Sequence, residues 1–161
     1  MNIGLHRLLL CWILLFWTLP LPLRAQSDSA SLEDTIEWLA NTIEARGYCV
    51  QSVSIKNGVL TWSMKERRGM FASTTVVRLG ELDPTQVKVA AGEDRISAVS
   101  ITTTNNRKAI NCETHGEFGK SWKAAEACIE FVQDDEGKLA ERFAKALRHA
   151  VALSGGKSST F

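Results

Sequence analysis

The chain closes on residues 127–153, which read ACIEFVQ, then DDEG, then KLAERFAKALRHAVAL, and this strand-then-helix ending limits the fold more than any other stretch. Leu139, Phe143, Leu147, Ala150 and Ser154, widened by Ala140, Ala144, Ala146 and Val151, recur at the i, i+3, i+4, i+7 spacing of one buried helix face. Glu141, Arg142, Lys145, Arg148 and His149 fill the opposite side. Asp134 or Asp135 is placed to cap the start, and Gly155 supplies the stop. A helix with one apolar face must lie on something, and the residues before it are rich in strand formers. A sheet or barrel beneath a closing helix is therefore the first expectation.

The other end of the chain has the pattern of an export signal. Arg7 precedes an apolar run over residues 8–19 (LLLCWILLFWTL), followed by Pro20 and Pro22. Such a run falls short of the roughly 18–20 residues that cross a bilayer core of about 30 Å. Cleavage after Ala25 is the simple reading; cleavage after Ser27, with Ala25 at minus three, suits the small-x-small rule better. A retained anchor is the alternative. Lipoprotein processing at Cys11 is disfavoured by the bulky Leu10 before it. The expected organisation is a cleaved signal peptide (1–25), a polar linker (26–30), a single α+β domain (31–154) and a flexible tail (155–161). The expected location is secreted or periplasmic.

Removing 25 of 161 residues leaves 136, enough for one domain with a real core. The loss of Arg7 and Arg24 takes the 19 basic side chains to 17, against 18 acidic ones. A chain so near neutrality has no electrostatic footprint for nucleic acid or an anionic membrane, so the membrane enters only through the signal.

A first helix is expected from Ser31, which forms a capping box with Asp34, to Gly47. Leu32, Ile36, Leu39 and Ile43 make its seam, with Trp38 and Ala40 beside it. Residues 48–56 and 59–68 then flank Asn57-Gly58, the dipeptide of a type I′ hairpin. The turn sets Ile55 opposite Leu60, Val53 opposite Trp62 and Gln51 opposite Met64, so the apolar residues of both strands share one face. Further strand signals lie at residues 71–79, 87–89, 95–104 and 109–113. A connection over 114–126 leads to the last strand, giving about seven strands, mostly joined as a meander.

Seven strands closed by one amphipathic helix resemble the pleckstrin-homology-like barrel, and the likeness covers residues 48–153. The closing CIEFVQ…LAERFAKALRHAVAL also resembles the ends of uncharacterised exported bacterial proteins with such domains. The resemblance implies four- and three-stranded sheets packed nearly orthogonally, with the last helix plugging one corner. It implies a binding or interaction module rather than a reaction. The extra N-terminal helix departs from the minimal fold. Lipid-binding members hold a headgroup with basic residues that Lys56 and Lys65-Glu66-Arg67 match as a string. The hairpin register separates Lys56 from the other two by roughly 25–30 Å at about 3.3 Å per residue, so no headgroup site is expected there.

Catalytic candidates are few. His6 leaves with the signal and His149 lies on the polar helix face. Cys112-x-x-His115 offers two metal ligands or a Cys–His nucleophile pair, but a closed zinc site usually needs four ligands and the sequence has no second pair at ligand spacing. No Gly-x-Ser-x-Gly, phosphate loop or dinucleotide fingerprint is present. Asp134-Asp135-Glu136 reads as acids opening a helix rather than as a calcium site. No cofactor or metal is called for.

Cys49, Cys112 and Cys128 remain after signal removal, and three cannot all pair internally. By alternation Cys49 faces inward with Val53 and Ile55, and Cys112 inward with Ile110. A Cys112–Cys128 disulfide would close a loop of about 16 residues, worth roughly 3 kcal/mol, and leave Cys49 as a buried thiol. Phe118, Lys120 and Trp122, with Gly116 and Gly119, make the candidate binding loop; a Trp122 tucked against the closing helix is the alternative. The leading reading is an exported, non-enzymatic module that binds an envelope protein or peptide. Second comes a carrier for a small apolar or lipid ligand in a barrel opening, and third an enzyme centred on His115 and Cys112.

Overall fold

The computed structural model describes residues 30–65, 72–91, 95–116, 119–133 and 138–159. The expected signal segment, Phe118, Arg67 and the acids at 134–136 lie outside these. Among the described residues there are two helices and eight antiparallel strands, the strands lying in two sheets that do not close into a barrel.

Helix α1 (Leu32–Arg46) starts as its sequence predicts: the Asp34 amide donates to Ser31 Oγ at 3.1 Å and the Ser31 amide to Asp34 Oδ2 at 3.3 Å. Leu39 and Ile43 are fully buried, while Thr35 and Thr42 take inward positions and Ile36 is only half-buried. Thr35 is admissible there because its hydroxyl donates to the Ser31 carbonyl at 2.8 Å. At Gly47 the chain turns sharply into the first strand. A Cβ on Gly47 would strike the Ile43 carbonyl oxygen and the Val50 side chain, so only glycine fits.

Strands β1 (Val50–Lys56) and β2 (Val59–Met64) form the expected hairpin, with φ 51° at Asn57 and 71° at Gly58. Ile55 pairs with Leu60 and Val53 with Trp62. One expectation is corrected: Met64 faces Val50, and Gln51 is the extra residue of a β-bulge. The bulge has a hydrophobic reason, since it puts Val50 rather than glutamine against the core. It also moves Cys49, at φ 60° with its carbonyl accepting from the Lys65 amide, out of the inward row, and the residue is only half-buried.

β3 (Ser73–Arg78) extends the hairpin on β2. The chain then leaves this sheet through short 3₁₀ turns at Leu79–Glu81 and Pro84–Gln86 and builds β4 (Lys88–Ala91) and β5 (Ile96–Thr102) elsewhere. β6 (Ile110–Thr114) returns to pair with β3, not with β5, so the expected meander is interrupted. The connection expected over 114–126 contains a further strand, β7 (Ser121–Ala124), paired with β6. After Ala125 the chain bends into β8 (Glu126–Val132), which pairs with β5. The result is a five-stranded sheet of order β1-β2-β3-β6-β7 and a three-stranded sheet of order β4-β5-β8, in place of the expected four plus three. Bridges between Gly47 and Phe131 and between Leu82 and Thr103 add ties outside the named strands.

Helix α2 (Leu139–Leu153) packs on α1, the 3₁₀ turns, β4 and β5. Leu139, Ala140, Phe143, Ala144, Leu147, Ala150 and Val151 are buried, as the periodicity predicts, and Gly155 at φ 86° stops the helix. Arg148 on its flank donates to the Val87 carbonyl from both Nε (3.1 Å) and Nη2 (2.7 Å). The core is filled by Trp62, Leu60 and Val77 from one sheet, Val99, Ile101, Ile129 and Phe131 from the other, and Phe143 from α2. The Phe131 and Phe143 rings tilt against each other at 4.5 Å.

The segment expected to be a flexible tail is fastened through Ser159. Ser159 N donates to Asp83 Oδ2 at 2.7 Å, Thr104 Oγ1 donates to the Lys157 carbonyl at 2.9 Å, and the Asn105 amide donates to Ser159 Oγ at 3.1 Å.

Candidate functional site: the open edge at β7

Registers across the five-stranded sheet align Val53, Trp62, Thr75, Cys112 and Trp122 in one row on the core-facing side. Trp62 is 2% and Cys112 9% exposed, whereas Trp122 at the end of the row is 48% exposed. The reason lies in the packing: β7 makes its substantial contacts with β6 alone, so the end of the row overhangs the core. Trp122 thus stands in an edge strand rather than in a loop, with about half of its surface open to solvent. Lys120, two residues earlier, has the same strand parity. Its position is held by backbone bonds, with the Thr114 amide donating to the Lys120 carbonyl at 2.9 Å and the Lys120 amide to Thr114 Oγ1 at 3.0 Å. Of the candidate binding residues Phe118, Lys120 and Trp122, the structure brings Lys120 and Trp122 together on one edge, and Phe118 lies outside the described residues.

The opposite face of the same strands carries a shallow depression of about 240 Å³ lined by Thr74, Val76, Asn111, Glu113, Ser121 and Lys123, with Cys112 and Trp122 between them in the lining. His115 has its Nε2 2.8 Å from Thr74 Oγ1, and its amide donates to the Ala72 carbonyl at 2.7 Å. Strand alternation separates His115 from Cys112. Thr74 meets His115 on the outer face, whereas its neighbour Thr75 hydrogen-bonds Cys112 on the inner one. The two residues therefore point to opposite sides of the sheet and form no nucleophile–base pair. Burial raises the Cys112 thiol above its ordinary range against the opposing Thr75 bond, which leaves a protonated, weakly nucleophilic sulfur.

Cys128 is exposed on β8, opposite Ser100, and burial of its surroundings followed by the carboxylates of Glu130 and Glu126 raises its thiol as well. The expected Cys112–Cys128 staple is not formed: β6 and β8 belong to different sheets, and neither sulfur is in a disulfide. Among the described residues no group of three or more His, Cys, Asp or Glu side chains is placed to hold a metal. Lys56 and Lys65 sit at opposite ends of the hairpin.

Two features escaped the sequence reading. The strand at β7 left little signal because Ser121–Ala124 is four residues with a single large side chain. The Asp83 anchor was half visible, since Asp83-Pro84-Thr85 is the signature of a capped 3₁₀ or helical turn. With this geometry in place, the chain matches no protein-family model, no curated protein and no solved structure.

Proposed function

We propose that the protein is an exported, non-enzymatic binding module that takes an extended peptide segment along the open edge of β7, anchored by Trp122. The observation that carries this reading is the half-exposed indole of Trp122 on a strand at the sheet's end, whose outer edge pairs with no other strand among the described residues. An edge strand offers a row of backbone donors and acceptors, and pairing with a peptide supplies affinity while side-chain anchors supply specificity. Tryptophan is among the side chains that most often dominate such interfaces, and Lys120 stands two residues away on the same edge. Two antiparallel sheets under a closing helix support a pleckstrin-homology-like relationship, although β6 pairing with β3 departs from a simple meander. The apolar run at residues 8–19 supports export.

The carrier reading needs interior space, and the space between the sheets and α2 is occupied by Trp62, Phe131 and Phe143. The enzymatic reading loses its support because Cys112 and His115 face apart.

The test is site-specific photocrosslinking in the cells that make the protein, with the photoreactive residue at Ser121, beside an intact Trp122, and a control at Lys56 on the far hairpin. A discrete adduct with another protein at 121, missing at 56, is expected. Equal labelling at both positions, or an adduct containing only a second copy of this chain, would sink the peptide-edge reading.

A further inference from the structure

Helices α1 and α2 lie side by side, and the groove between them, about 430 Å³, is lined by Ala30, Thr35, Trp38, Arg142, Lys145 and Ala146, with His149 at its end. Its floor is apolar: Trp38 is half-buried and reaches the Phe143 ring at 6.3 Å, and Ala146 packs beside it. Arg142, Ala146, His149 and Leu153 follow one another at helical spacing along α2, so a second stripe runs beside the buried one. It ends in Leu153, which is 52% exposed.

The charges of the two helices are segregated. On α1 Glu33, Asp34, Glu37 and Glu44 are exposed, against a single cation, Arg46 in the last turn. On α2 Lys145 is exposed and outermost, Arg148 is exposed with its guanidinium bonded to the Val87 carbonyl, and Glu141 is the one acid. Glu33, Glu37 and Glu44 share one ridge by helical spacing, and Lys145 crowns the ridge of α2. A chain near overall neutrality thus carries an acidic ridge and a basic ridge flanking one apolar groove. Such a surface is complementary to itself when rotated by 180°, which sets each acidic ridge on the other copy's basic ridge.

We propose that the outer face formed by α1 and α2 is a two-fold interface with a second copy of this chain, the Trp38–Ala146–Leu153 strip at its centre and the ridges of opposite charge at its margins. The size sets the strength. Two helices of 15 residues, each about 22 Å long and about 10 Å apart, give a footprint of roughly 450 Å² per copy. A standard stable interface buries about 800 Å² per partner, so this one is of the small, transient kind, and its charged margins make it sensitive to salt. It leaves β7 uncovered, because β7 lies at the far edge of the five-stranded sheet beyond β6, and it is independent of the peptide site.

The experiment is sedimentation equilibrium and native mass spectrometry on the protein purified after expression of the full sequence, at low and high salt. The wild type is expected to show a monomer–dimer equilibrium with a dissociation constant of about 1–100 µM, weakening as salt rises. Lys145→Glu and, separately, Glu33→Lys with Glu37→Lys should each weaken the dimer about tenfold or more while circular dichroism shows a folded chain. Mixing the two variants should restore dimerisation, since each ridge then meets its opposite in the heterodimer. A monomer at about 100 µM in low salt, a dimer indifferent to both reversals, or a mixture that fails to recover would each overturn the proposal.

Discussion

Replacing Asp83 by asparagine tests how the end of the chain is held. Asp83 has no exposed surface and sits under the tail, where Oδ1 accepts from the Thr85 amide at 2.8 Å and the Thr85 hydroxyl at 2.6 Å, and Oδ2 from the Ser159 amide at 2.7 Å. Burial alone would raise its pKa, but the side-chain and backbone bonds from Ser159 and Thr85 outweigh this and lower it from 3.8 to about 2. Because the folded value lies below the unfolded one, the carboxylate contributes stability that is fully present above pH 3.8 and is lost as pH falls through about 2. The whole depression would correspond to roughly 2.4 kcal/mol at 1.36 kcal/mol per unit. The cover is a single layer of tail near the surface, so water screens the charge and about 1–2 kcal/mol is expected. An asparagine turned to accept from Thr85 presents its amide nitrogen to the Ser159 amide, donor facing donor, and the tail should release. Urea denaturation from neutral pH to pH 2, with amide exchange at residue 159, reads both effects. The gap between wild type and Asp83→Asn should be about 1–2 kcal/mol at pH 7 and shrink towards pH 2, with Ser159 losing its protection in the variant. An unchanged midpoint at pH 7 together with a still-protected Ser159 amide would refute the reasoning.

Three further outcomes follow from the packing. Phe143→Ala removes a fully buried ring that touches Phe131 and Trp38, and should cost about 3–5 kcal/mol in chemical denaturation, a large part of a typical domain's stability. Gly47→Ala, whose new methyl meets the Ile43 carbonyl and Val50, should lower stability by roughly 1–3 kcal/mol and loosen the entry to β1, seen as faster amide exchange at Val50. Alkylation of the native protein should label Cys128 well before Cys112, and both slowly at neutral pH, since each thiol is held above its ordinary range; labelling of Cys112 first would contradict its placement.

What could be read directly from the residues is the set of features encoded over a few positions. The capping box at Ser31 and Asp34, the Asn57-Gly58 turn with its Val53–Trp62 and Ile55–Leu60 pairs, and the buried stripe of α2 all appear as written, because each depends on contacts within a helical turn or across a two-residue loop. The bulge at Gln51 marks the limit of that logic: alternation alone set Gln51 opposite Met64, and the preference of the core for Val50 overrode it. Tertiary structure decided the rest. That β6 joins β3 rather than β5, and that β7 becomes an edge leaving Trp122 half in solvent, depends on which strands compete for hydrogen bonds and core volume, and a strand's sequence carries no record of its neighbour. Cys112 and His115 are three residues apart in the chain yet on opposite faces, because the pleat, not proximity, assigns direction. The Asp83–Ser159 bond spans 76 residues, and the α1–α2 groove unites residues from both ends of the domain. Neither leaves a periodic trace, since each arises only when helices and sheets, already formed, settle against a common core.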